Sequence, residues 1–168
     1  QSTGPWARDN WDDVIQALKV EEVSERVETL EYGYRVPKEV YAVAQPLLEA
    51  IAPDLSAPIV VRRAPRPPEI RWVEPEDVIA NAVDEAQLHA SKGRFVGVIC
   101  GEVAISDVAK AFERAEVHAK LVSSGELGQS INLMTAAESK GLEFDAIVVV
   151  EPAAIARENS RGPRHLYV

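Results

Sequence analysis

Cysteine is almost missing from this chain: Cys100 stands alone among 168 residues. A lone cysteine forms no disulfide within the chain and no cysteine metal site, and such usage fits a reducing, cytoplasmic setting. Long apolar runs are missing too. Nothing approaches the ~20 residues of a membrane-spanning helix, and the start has no signal-peptide pattern, so a membrane is not an expected partner. Positive charge is short: 18 Lys and Arg face 27 Asp and Glu, for a formal net charge of −9. Free-standing nucleic-acid binders gain most of their affinity from neutralised phosphates and show a basic surface. The chain as a whole does not, so any such contact runs through a local patch or is shared with another domain. His89, His118 and His165 have neither ligand spacing nor a nearby cysteine, and no metal ligand is assigned. The GxxxxGK[ST] and Gly-x-Ser-x-Gly spacings are both absent, which excludes a P-loop and a hydrolase nucleophile elbow from these residues.

What is present is ordinary for a globular protein, with 46% apolar and 27% charged residues, and the length suits one domain. Asn10 opens a short helix with Trp11, Val14, Ile15 and Leu18 at helical spacing. Val27–Leu30 reads as a brief strand that runs into Tyr34-Arg35-Val36-Pro37 and a helix from about Lys38 to Ala52, with Val40, Ala44, Leu47, Leu48 and Ile51 as its apolar stripe. A proline-rich surface passage follows, with a β-type run at Ile59–Val61 and a basic cluster of Arg62, Arg63 and Arg66. Ile70–Val73 reads as a strand, and Pro75 to about Ser91 as a helix. Phe95–Cys100 reads as a buried strand, and Ser106 to Ala115 as a helix capped by Ser106. Val117–Val122, Ile131–Met134 and Ala146–Val150 complete the strands, and the unbroken β-branched run Ile147–Val150 suggests burial on both faces. Alternation of strands and helices predicts an α/β domain with a parallel sheet covered on both faces.

The connector between the last two strands holds Thr135, Glu138, Ser139, Lys140, Gly141, Glu143 and Asp145. Ligands of open α/β sheets gather outside the carboxyl ends of strands, which makes this stretch and Tyr34-Arg35 candidate sites. Tyr followed by Arg can stack on a base and reach a phosphate, although without other context the favoured reading is a half-buried ring beside a surface ion pair. Glu143 and Asp145, read alone, are solvated carboxylates. The residue types by themselves stop at a polar site on an α/β domain.

The motifs taken together go further. Thr135-Ala-Ala-Glu-Ser-Lys-Gly-Leu-Glu-Phe-Asp145, followed by Ala-Ile-Val-Val-Val, resembles motif V of superfamily 1 helicases of the UvrD/Rep type. Tyr34-Arg35 with Val-Pro and a helix behind it resembles motif IV, Arg164-His165-Leu166-Tyr167-Val168 the opening of motif VI, and Gln1 the last residue of motif III. The resemblance implies a second RecA-like domain, of the P-loop NTPase type but without the Walker A half, cut from a longer chain. It implies that Tyr34 stacks on adenine, that Gln1 and Arg35 contact the γ-phosphate, and that Arg35 acts as an arginine finger. Gly141 and Glu143 fall on the nucleotide side, Glu143 toward the ribose, while Thr135, Ser139 and Lys140 fall on the single-stranded DNA. ATP with Mg2+ is the implied nucleotide, the Mg2+ ligands lying in the first RecA-like domain, which would be the main partner. The isolated fragment is then expected to be inactive. Ala137 departs from the pattern, since many members carry His there, and Glu138 stands beside it. The compact stretch from Arg35 to Thr135 looks most like the HelD branch, which implies RNA polymerase as an alternative partner.

Overall fold

The computed structural model describes residues 11–18, 31–53, 55–122 and 126–167. Gln1, Asn10 and the expected strand Val27–Leu30 lie outside them. Helix α1 spans Trp11–Leu18, where apolar residues recur at helical spacing. The chain divides between Glu69 and Ile70 into two compact units.

In the first unit, strand β1 (Tyr32–Gly33) is followed by helix α2 (Lys38–Ile51) and strand β2 (Ile59–Val60). The two short strands pair in parallel, Tyr32 opposite Ile59 and Gly33 opposite Val60. Pro37 caps α2 with extended backbone at φ −64°, the conformation that its ring presets before a helix. Leu48 is buried and Ala44, Leu47 and Ile51 are half-buried, as the apolar stripe predicts. Val40 departs from the expectation and stays 42% exposed.

The second unit begins with a correction. Ile70–Val73, expected as a strand, pairs with no strand among the described residues. Pro67, Pro68 and Pro75 lie close on either side of it, and proline has no N–H to donate to a ladder. β propensity describes a half-buried pleated surface, and Trp72, 94% exposed, has none. The helical region from Pro75 holds as expected, a 3-10 turn over Pro75–Asp77 leading into helix α3 (Val78–Ala90). Strand β3 (Val96–Cys100), helix α4 (Ile105–Arg114), strands β4 (Ala119–Leu121), β5 (Ile131–Thr135) and β6 (Ala146–Val149), and helices α5 (Pro152–Glu158) and α6 (Gly162–Tyr167) follow.

Strands β3 to β6 form one parallel sheet in the order β4-β5-β3-β6. Helices flank it, so the expected α/β class with a parallel sheet is observed. Ala82, Val83 and Ala86 of α3 and Val108 and Phe112 of α4 form the core with Val96, Val98, Cys100, Ile131 and Leu133 of the sheet. Side chains alternate along a strand, so Gly97, Ile99, Asn132 and Met134 turn to the opposite face. Strand β6 corrects the reading of two-sided burial: Ile147 and Val149 are 52% and 43% exposed. It is an edge strand, bonded to β3 alone among the described residues, and only its Val148 side packs on the core.

Helix α4 also starts differently. Ser106 is not its cap; the carbonyl of Gly101, leaving β3, accepts the Ala104 and Ile105 amides at 3.1 Å each. The other end closes on a Schellman motif. Val117 N–H donates to Phe112 O and Glu116 N–H to Glu113 O, both at 3.0 Å, with Glu116 in the left-handed region at φ 56°.

Candidate functional site

The polar connector is the crossover from β5 to β6. Both strands are parallel to β3, with Thr135 level with Cys100 at the carboxyl ends and Ala146 level with Val96 at the amino ends. The ten residues 136–145 must therefore travel back along the sheet, and they do so in turns without a helix. The expectation that the whole connector gathers where a strand ends is corrected on this point. Thr135 stands at the carboxyl end, and Asp145 at the other.

The first turn is a capping box, the Thr-x-x-Glu arrangement that normally opens a helix. Glu138 Oε2 accepts the Thr135 amide at 2.8 Å and the Thr135 hydroxyl at 2.9 Å, and the Glu138 amide donates back to Thr135 Oγ1 at 3.3 Å. Ser139 donates its amide to Thr135 O at 3.1 Å and its hydroxyl to Ala136 O at 2.9 Å. Gly141 then adopts φ 83°, a left-handed conformation that closes the turn, and open space surrounds the position of a β-carbon. Glycine is needed here for its backbone and not for room. Lys140 and Glu143 are both exposed on this crossover, one on each side of Gly141–Leu142.

At the far end the crossover is clamped to the start of β3. Asp145 Oδ2 accepts the Phe95 amide at 2.9 Å, and the Asp145 and Ala146 amides donate to Phe95 O at 2.9 and 3.2 Å. Phe144 stacks on Phe95, with centroids 5.1 Å apart and planes inclined by 21°.

Near the carboxyl ends lies Cys100, fully buried on the core side. Burial pushes its thiol up to about 11, with Glu158 and then Glu138 adding to the effect. Reactive thiols sit in electropositive surroundings, so this one is inert. Glu138 is the residue that reading the sequence left without a role. Its signal was the Thr135-to-Glu138 spacing, visible in the chain as Thr-Ala-Ala-Glu.

Tyr34 and Arg35 belong to the first unit and follow β1 directly. Tyr34 is 70% exposed and stacks on Tyr32, with centroids 6.3 Å apart. Arg35 begins the bend that leads into Pro37 and α2, and its carbonyl accepts a hydrogen bond from Arg62 Nη1 at 3.0 Å. Glu39 in the first turn of α2 accepts the Ala64 amide at 2.7 Å, which is the main reason its carboxyl is held below the usual carboxylate range. An exposed tyrosine ring with an arginine beside it has the elements for holding a base and a phosphate.

The predicted site residues thus fall into two groups. Tyr34 and Arg35 lie in one unit and Thr135, Ser139, Lys140, Gly141 and Glu143 in the other; Gln1 is outside the described residues. Among the described residues, no group of three or more His, Cys, Asp or Glu side chains is placed to hold a metal ion, and no helix is long and apolar enough to cross a membrane. A comparison with protein-family models finds no match, and neither does a comparison with curated proteins.

Proposed function

We propose that this chain is the second RecA-like motor domain of an ATP-dependent superfamily 1 DNA helicase or translocase of the UvrD/Rep type. One observation carries the reading. The Thr135–Asp145 wording that resembles motif V occupies the crossover between two parallel strands, with Thr135 at the carboxyl end of the sheet, where α/β domains bind their ligands.

In this reading Tyr34 stacks on the adenine, and Gln1 and Arg35 reach the γ-phosphate of ATP held with its Mg2+ by the first motor domain. An arginine supplied across a cleft stabilises the charge that develops on the transferred phosphoryl group. Glu143 and Gly141 belong to the nucleotide side of the crossover, and Thr135, Ser139 and Lys140 to the single-stranded DNA side. A turn with a committed backbone can pass closure of the cleft from one ligand to the other. In the full-length protein, Arg35→Ala lowers ATP turnover by roughly 10³-fold or more and leaves the melting temperature unchanged. Wild-type turnover in that variant removes the finger role.

A second reading is favoured by Glu138. Its carboxylate holds the Thr135 hydroxyl assigned to the nucleic-acid backbone, and the chain carries a net charge of −9. Both oppose contact with phosphates. In this alternative the parent is a HelD-like factor that uses ATP to release or recycle RNA polymerase. ATP turnover of the full-length protein, measured with single-stranded DNA and separately with RNA polymerase, discriminates the two. Salt-sensitive binding to single-stranded DNA without polymerase counts against the second.

A further inference from the structure

Arg62 emerges from β2 and binds the bend that carries Arg35 from two directions. Its guanidinium donates to the Arg35 carbonyl at 3.0 Å, across 27 residues of sequence. Its own carbonyl accepts the amide of Lys38 at 2.8 Å, one of the donors that the start of α2 leaves without a partner inside the helix. The flanking backbone runs alongside the same bend. Ile59 N–H donates to Glu31 O at 2.7 Å and Val61 N–H to Gly33 O at 3.2 Å, while the Ala64 amide reaches Glu39. Residues 59–64 therefore brace residues 31–39 before the bend, at it and after it.

The bond at Arg35 is charge-assisted, and it fixes the orientation of the peptide unit that follows the Arg35 Cα. The direction in which the Arg35 side chain leaves the bend depends on that peptide. A catalytic arginine misplaced by about 1 Å loses on the order of 100-fold in rate.

We propose that Arg62 is a positioning residue for Arg35, holding the bend so that the Arg35 guanidinium meets the terminal phosphate of a bound nucleoside triphosphate. The assignment rests on the nucleotide-binding reading of Tyr34 and Arg35 given above. Arg62 acts through the Arg35 backbone and touches no reacting atom, so it affects the chemical step more than nucleotide binding.

The test is steady-state ATP hydrolysis by the full-length protein and its Arg62→Ala, Arg62→Lys, Arg63→Ala and Arg35→Ala variants, each with its melting temperature. Arg62→Ala is expected to lower kcat by roughly 10- to 100-fold with KM for ATP changed by less than about 3-fold. Arg62→Lys restores kcat to within a few-fold, because an ammonium donates to the same carbonyl. Arg63→Ala stays at the wild-type rate. Should Arg62→Ala fail to fold, Arg62→Lys and Arg62→Gln, which keep a donor, are compared with Arg62→Met, which does not. Wild-type kcat in Arg62→Ala or Arg62→Met, beside a 10³-fold loss in Arg35→Ala, overturns the positioning role and leaves the nucleotide reading intact. Wild-type kcat in Arg35→Ala overturns the nucleotide reading itself. A loss in Arg62→Ala that lysine does not restore also overturns the positioning role.

Discussion

The ring of Phe144 lies directly on Gly97, where a β-carbon would stand 2.8 Å from Phe144 Cδ2 and 3.0 Å from two further ring atoms. Gly97 is the second residue of β3 and Phe144 lies near the end of the crossover, so this contact seats the connector on the sheet. Real β-carbons do not approach so closely, and the ring must move if one is added. Gly97→Ala is expected to destabilise the protein by about 1–3 kcal/mol in urea unfolding. Phe144→Leu, which shortens the obstacle, removes most of that penalty when combined with Gly97→Ala. An additive double mutant would show that the alanine is accommodated elsewhere.

Much of this arrangement was legible in the residues. Val96–Cys100 announces a buried strand through an unbroken run without polar residues, and Ile131–Met134 does so despite Asn132; both prove fully covered or nearly so. Helices α3 and α4 follow from the 3.6 period, whereas α5 and α6, at seven and six residues, are too short to display it. Ile147–Val150 looked the same and is half-open, because apolar content cannot tell a central strand from an edge strand; that depends on sheet order. Ile70–Val73 has strand residues but no strand partner among the described residues, since pairing is a property of the whole fold. In the candidate site, the polar connector between two strands was visible, while the separation of Thr135 from Asp145 by the length of the sheet required the register. No local rule contains that register.

The end of α4 departs from local preference in the opposite sense. Glu116 occupies the left-handed position of the Schellman motif that glycine normally fills, at φ 56°, and it adds a negative charge at the negative end of the helix. Glu116→Gly should therefore stabilise the protein, by roughly 1 kcal/mol from the backbone with a few tenths more from the charge. Thermal melting detects this as an increase of a few degrees. A decrease would mean that the carboxylate has a stabilising partner.

Cys100 gives the stability a pH dependence on the alkaline side. Its thiol is raised from 9.0 to about 11 by burial first, then by Glu158 and Glu138. The folded state thus holds the proton more tightly than the unfolded one. The resulting stabilisation is complete below pH 9, declines as pH rises toward 11, and amounts at most to about 3 kcal/mol. Unfolding measured across that range should show a steeper loss for the wild type than for Cys100→Ala. Parallel curves would mean that the thiolate is tolerated in the core.

Glu138 offers the sharpest test of the two functional readings, because it holds Thr135 by two hydrogen bonds and brings a carboxylate to the place assigned to a phosphate. Glu138→Gln keeps an acceptor for the Thr135 amide, so the capping turn survives with a loss of about 1 kcal/mol or less. It removes one negative charge. If Thr135, Ser139 and Lys140 face single-stranded DNA, the full-length variant should bind a short oligonucleotide several-fold more tightly at low salt. The gain should shrink as salt rises, since it comes from one fewer like charge beside the backbone. Fluorescence anisotropy at two ionic strengths measures both effects. Affinity that is unchanged at low salt would place the nucleic acid elsewhere and shift the balance toward a polymerase-directed motor.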